Sequence, residues 1–178
     1  GTRFASFVPS AVSGGIHFAA LGAGMGHTCG ITAEGAIYCW GANGRGQLGA
    51  TSAETCPGQA DAVATDDCSL TPLLVAGTPA VETVGAGYTH TCALTTAGAA
   101  YCWGENTYAQ LGDGTQDDSA EPVAVFGGLV FGKLSSAYYH SCGITKGGIA
   151  YCWGMGVHGE LGDGTTENRT APVRVAGQ

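Results

Sequence analysis

The sequence predicts an all-β chain of three blade-like units, each of four short strands. Three observations carry that expectation: one motif occurs three times, its copies sit at fixed spacing, and 32 glycines in 178 residues punctuate the chain where helical periodicity would otherwise run. His27-Thr28-Cys29-Gly30-Ile31-Thr32 leads to Ile37-Tyr38-Cys39-Trp40-Gly41 and then to Gln47-Leu48-Gly49. The same order returns from His90 to Gly112 and from His140 to Gly162. Cys92 and Cys142 are 50 residues apart, whereas Cys29 and Cys92 are 63 apart, so the first unit carries a 13-residue insertion between Gly49 and Leu70.

Each unit reads as a Pro-x-x-Val segment, a glycine-flanked run such as Val81-Glu82-Thr83-Val84, the His-x-Cys strand and the Tyr-Cys-Trp strand. Pro72, Pro122 and Pro172 open equivalent segments, and Pro9 to Gly14 is a weaker fourth copy. The units are then 8–70 with the insertion at 50–70, 71–120, 121–170, and a terminal strand at 171–178. Three hairpins with four Pro-x-x-Val segments leave one terminal strand surplus. In the Ala36–Trp40 run, Ile37 and Cys39 face one way and Tyr38 and Trp40 the other. A strand apolar on both faces needs a sheet against each, as neighbouring propeller blades provide.

Eight cysteines allow 105 pairings. A tight Ala33-Glu34-Gly35 turn sets Cys29 opposite Cys39, and Cys92 with Cys102 and Cys142 with Cys152 repeat the arrangement. Cys56 and Cys68 remain to close the insertion. Paired cysteines imply an oxidising place of work, extracellular or secreted, with the periplasm or cell surface as variants. Hydrophobic residues make up 44% of the chain, enough for a core, and charged residues 11%, too few for a disordered tail. No run approaches the roughly 20 apolar residues of a membrane helix. The sequence begins at Gly1 without methionine, as a processed or trimmed product would.

The pattern His-Thr/Ser-Cys, then Tyr-Cys-Trp-Gly, then Gln/Glu-Leu-Gly resembles the regulator of chromosome condensation repeat, particularly its bacterial secreted relatives with paired cysteines. The resemblance runs from about Val8 to Gly177. It implies a β-propeller of four-stranded blades of about fifty residues, often with strands shared across repeat boundaries. The founding member is a nuclear exchange factor for a small GTPase, and other relatives are secreted β-lactamase inhibitors. This chain departs in having three units where closed rings of the family have about seven blades. It departs also in a net charge of -8, which opposes docking on a phosphate backbone.

No nucleophile with base and orienting acid can be assembled, and no phosphate-cradling loop precedes a helix, so neither an enzyme nor a cofactor is expected. His27, His90 and His140 share a strand face with cysteines, but a position that recurs in every unit reads as structural, with the histidines bonded to backbone groups, and not as a metal site. Asp113-Gly114-Thr115 and Asp163-Gly164-Thr165 read as turns, not calcium loops. Trp40, Trp103 and Trp153 read as blade-to-blade packing and not as a stacking ladder for a ligand. Tyr108, Tyr138, Tyr139, Phe4 and Phe7 break the repeat symmetry and are candidates for contact with a partner. Asn168-Arg169-Thr170 fits a glycosylation acceptor at Asn168.

Two functional readings follow. In the first, copies of this chain join head to tail into a ring or filament, the terminal strands Phe4, Phe7, Val8, Pro9 and Val12 meeting Pro172, Val173 and Val175. In the second, the chain is a secreted binding module for another protein or a glycan, possibly as an excerpt of a longer propeller. Neither reading involves nucleic acid.

Overall fold

A computed structural model describes residues 7–56 and 66–178. Three antiparallel sheets follow one another along the chain. The first combines β1 (Ala20–Ala23), β2 (His27–Ile31), β3 (Ile37–Ala42), β4 (Glu54–Cys56) and β5 (Asp66–Leu74) in the order β1-β2-β3-β5-β4. The second contains β6 (Val81–Ala86), β7 (His90–Thr95), β8 (Ala100–Gly104) and β9 (Ser119–Ala124) in sequence order. The third repeats that meander with β10 (Phe131–Ser136), β11 (His140–Thr145), β12 (Ala150–Gly154) and β13 (Arg169–Arg174). No helix occurs among the described residues, so none is long and apolar enough to cross a membrane.

The hairpin register is the one the cysteine symmetry predicts. Cys29 faces Cys39, Cys92 faces Cys102 and Cys142 faces Cys152. A disulfide joins each pair across Cα atoms 4.1 Å apart. A fourth disulfide, Cys56–Cys68, ties β4 to β5 within the insertion. The glycine of Tyr-Cys-Trp-Gly has its own cause: Gly41, Gly104 and Gly154 take φ of 106°, 104° and 101°. A Cβ at any of them would lie 2.5 to 2.6 Å from the carbonyl oxygen just before the histidine strand.

The phase of the units differs from the expected one. The segments at Pro72, Pro122 and Pro172 follow the Tyr-Cys-Trp strand of their sheets instead of opening a sheet: Leu73 lies opposite Cys39, Val123 opposite Cys102, and Val173 opposite Cys152. The blades therefore span 20–74, 81–124 and 131–174. Pro172 and Val173 belong to the outer strand of the third blade, and Val175 continues it by donating its N–H to the Ala150 carbonyl. They are not a surplus strand. The surplus copy is Pro9–Val12, which lies outside any strand; Phe7, Val8, Pro9 and Val12 are all exposed. Phe4 lies outside the described residues.

Two hydrophobic cores lie between the blades. Cys29, Ile31, Ile37, Cys39 and Leu48 of the first blade pack against Val81, Val84, Ala93 and Trp103 of the second. Cys92, Leu94, Cys102 and Leu111 of the second pack against Phe131 and Trp153 of the third. Every blade thus turns its disulfide face forward and its tryptophan face backward.

Candidate interaction sites on the blades and at one loop end

One joint is built twice. The side chain of Gln47 accepts a hydrogen bond from the Arg45 N–H at 2.8 Å, which folds the loop so that its own main-chain carbonyl points at the next blade. There it accepts from Trp103 Nε1 at 3.0 Å and from the Thr91 hydroxyl at 2.8 Å. Thr91 Oγ1 also lies 2.8 Å from His27 Nε2. In the second joint Gln110 accepts from the Tyr108 N–H, and its carbonyl accepts from Trp153 Nε1 at 3.1 Å and from the Ser141 hydroxyl at 3.4 Å. His90 Nε2 lies 3.0 Å from that hydroxyl. The histidines therefore bind a side-chain hydroxyl of the neighbouring blade, not backbone groups; the partner is 51 or 64 residues away in sequence. Burial lowers the pKa of His27 to about 4. Burial, aided by the charges of His27 and His140, lowers that of His90 to about 3.

The halves of this joint recur at the two outer faces. Glu160 accepts the His158 N–H at 2.8 Å, as Gln47 and Gln110 accept theirs, because a carboxylate offers the same acceptor oxygen as an amide. His140 holds the place of His27 and His90 in the third hairpin, with no following blade among the described residues. Ile144 on this face is 42% exposed, and no sheet of the described residues covers the Cys142–Cys152 pair. On the first blade, Thr28 and Trp40 occupy the places of Thr91 and Trp103. Trp40 is half-buried, with Phe18 at a centroid distance of 5.4 Å, whereas Trp103 and Trp153 are fully buried.

A separate cluster sits at the loop end shared by the β6–β7, β10–β11 and β8–β9 connections. Tyr88 and Tyr138 have ring centroids 4.4 Å apart, Tyr138 and Tyr139 4.4 Å, Tyr88 and Tyr139 5.4 Å, and Tyr108 and Tyr139 4.7 Å. Three of the tyrosines singled out by broken symmetry thus converge. Tyr88 was missed although it stands two residues before its histidine, as Tyr138 does, and comparing the two units at that position would have found it. Glu105 was missed as well, though it stands where the other units carry Ala42 and Met155. Its buried carboxylate accepts from the hydroxyls of Thr89 and Thr107. Burial, then Tyr138, Glu105 and Tyr88, push the Tyr139 phenol up to about 12. Beside the rings, a cavity of about 200 Å³ is lined by Met25, Tyr88, Tyr138 and small residues where the inner strands of the three blades, β1, β6 and β10, end. A larger cavity, about 520 Å³, runs between the outer strands of the first two blades, with Glu121 the one ionisable residue in its lining.

The other residues with expected roles lie apart. Asp113 and Asp163 accept from the N–H and hydroxyl of Thr115 and Thr165, which makes turns of both segments. Asn168 is exposed, and its side-chain oxygen accepts the Gly156 N–H at 3.1 Å. No group of three or more His, Cys, Asp or Glu side chains gathers as a metal site among the described residues.

Models of the regulator of chromosome condensation (RCC1) repeat match the chain over residues 34–94, 97–144 and 147–178, and a second model of that repeat matches 18–47, 81–110 and 133–160. The chain belongs to this repeat family. Among characterised members, the human E3 ubiquitin-protein ligase HERC2 is 34% identical over 114 residues, which is 60% of this chain and 2% of that protein. The Danio rerio RCC2 homolog is 36% identical over 92 residues, 51% of this chain and 16% of the homolog. This RCC1-repeat chain therefore spans a small part of either relative. The structure of Prp20p from Saccharomyces cerevisiae superposes with a TM-score of 0.74 at 22% identity, covering 89% of this chain and 38% of Prp20p. That likeness is one of fold, and it agrees with a propeller segment.

Proposed function

We propose that this chain is a non-catalytic RCC1-repeat subunit that works by joining copies of itself head to tail through its outer blade faces. One observation carries the reading: the joint built twice inside the chain has its two unlike halves at opposite ends, Glu160 and His140 on one, Thr28 and Trp40 on the other. A contact between unlike faces of identical chains is heterologous, so it closes into a ring or continues as a filament according to the rotation per step. The disulfides are compatible with an extracellular setting, where such an assembly would hold its hairpins oxidised.

The test uses two variants that each place a charge on one face. Thr28→Lys blocks the tryptophan face, and Ile144→Lys blocks the disulfide face. By light scattering the intact chain forms multimers, each variant alone stays monomeric, and the two mixed form a dimer and stop. An intact chain that is monomeric at micromolar concentration overturns the reading. Deleting residues 1–13 separates two routes: a face joint survives the deletion, and exchange of the terminal strands does not.

A second reading, a module that binds another protein, is favoured by the tyrosine cluster, which no repeat of the motif requires. Prp20p is described as binding Gsp1p and histones, so a propeller of this family serves as a protein-binding surface there. This second role uses a loop end, not a blade face, and is compatible with the first.

A further inference from the structure

We propose that the loop end bearing Tyr88, Tyr108, Tyr138, Tyr139 and Glu105 binds an arginine-rich segment of a partner protein. The inference rests on the second reading above and names the chemistry of the partner. Four phenol rings packed edge and face against one another leave Tyr138 54% exposed, so an aromatic surface faces solvent beside a buried carboxylate. Rings of this kind attract a cation over their faces, and a guanidinium does so best because it is planar, weakly hydrated and able to reach a carboxylate at the same time.

The charge around the rings points the same way. The β8–β9 and β12–β13 connections, at the same end of the blades, carry Glu105, Asp113, Asp117, Asp118, Glu160, Asp163 and Glu167. Two arginines reach these loops and both are already engaged, Arg45 of the β3–β4 connection with Asp118 and Arg169 at the start of β13 with Asp163 and Glu167. The other described cations lie toward the far end: Lys146 in the β11–β12 turn, Arg174 at the end of β13, and Lys133 in the half of β10 nearer that turn. A surface of tyrosines rimmed by unbalanced carboxylates complements an arginine segment in both its parts. A glycan would use the rings and ignore the rim, and a nucleic acid would be repelled by it.

The experiment titrates the whole chain with a fluorescein-labelled hexapeptide of alternating glycine and arginine, read by anisotropy, with the lysine analogue and a neutral oligosaccharide alongside. The arginine peptide binds, the affinity falls as salt is raised, and the lysine peptide binds several-fold more weakly. Tyr138→Ala weakens binding about tenfold while Tyr138→Phe retains it, since the ring face and not the hydroxyl is used. Tyr138 is 54% exposed and packs only on Tyr88 and Tyr139 among the rings, so its replacement lowers the melting temperature little and leaves the chain folded. Glu105→Gln weakens arginine binding and brings the two peptides closer together. Equal binding of arginine and lysine peptides, no effect of Tyr138→Ala, or preference for the oligosaccharide each overturns the proposal. Repeating the titration on the Thr28→Lys monomer separates this site from assembly: binding persists there if the loop end acts alone, and its loss would overturn the assignment to that end.

Discussion

The second and third blades share their wording and differ in their surroundings. His90-Thr91-Cys92-Ala93-Leu94-Thr95 is buried at every position, whereas His140-Ser141-Cys142-Gly143-Ile144-Thr145 alternates between buried and accessible. Nothing within the hairpin causes this, for both have the same register, turn and disulfide. Among the described residues the second blade has a sheet against each face and the third has one against its tryptophan face only. A strand of this repeat is therefore half a packing unit, and its burial is decided by the neighbour it meets.

Tryptophan replacement breaks that comparison most strongly. Trp103→Ala removes a fully buried ring and its hydrogen bond to Gln47, and should cost about 3–5 kcal/mol by urea unfolding. Trp40→Ala, made at the open face, should cost clearly less; equal costs would mean that the two faces are covered alike. Next come the disulfides. Replacing Cys92 and Cys102 together by alanine should cost about 2–3 kcal/mol, the entropy of a short closed loop. Under mild reductant in the folded state, alkylation and mass spectrometry should find Cys142–Cys152 opening before Cys92–Cys102, because Cys142 is accessible and Cys92 is not. If multimers form, that order should vanish in them.

Acid sharpens the comparison further. His27 and His90 are held neutral in the fold with pKa values of about 4 and about 3, below the ordinary 6.5. Between those limits the unfolded chain binds the more protons, so their contribution is complete above 6.5 and is lost as pH falls toward 3. The slope should reach about 1.4 kcal/mol per pH unit for each histidine within its window. His90→Gln should flatten it, and unfolding midpoints measured from pH 7 to pH 4 would show whether it does. The smallest effect belongs to Arg45→Ala, which breaks an exposed ion pair of 3.7 Å between the first two blades. Its cost should stay below about 1 kcal/mol in thermal melts and shrink with salt.

Local pattern made the hairpins legible before any coordinates. Equal distances of Cys29 and Cys39 from Glu34 determine the register, and alternation along Ile37–Trp40 identifies two buried faces. The phase was not legible, since a periodic string reveals its period but not its starting point. Whether Pro72 opens a sheet or closes one depends on pairing across the insertion, where Leu73 meets Cys39. The histidine partners were hidden for a related reason: Thr91 and Ser141 precede their cysteines as ordinary strand residues, and only the stacking of blades brings them to His27 and His90. At the loop end, Tyr108, Tyr138 and Tyr139 stood out by breaking symmetry. Comparing the residue after each Trp-Gly would have exposed Glu105 too.

The inner strands meet at glycine. A Cβ on Gly22 would lie 2.6 Å from the Val84 carbonyl oxygen, and one on Gly85 would lie 2.9 Å from the Ser136 hydroxyl. These contacts act as the hinge of a fan: an extra methyl group there wedges neighbouring sheets apart at the narrow end and swings their outer strands through a larger arc. The close approach of neighbouring sheets along these strands thus depends on two missing side chains, at Gly22 and Gly85, as much as on the tryptophans that hold the blades together.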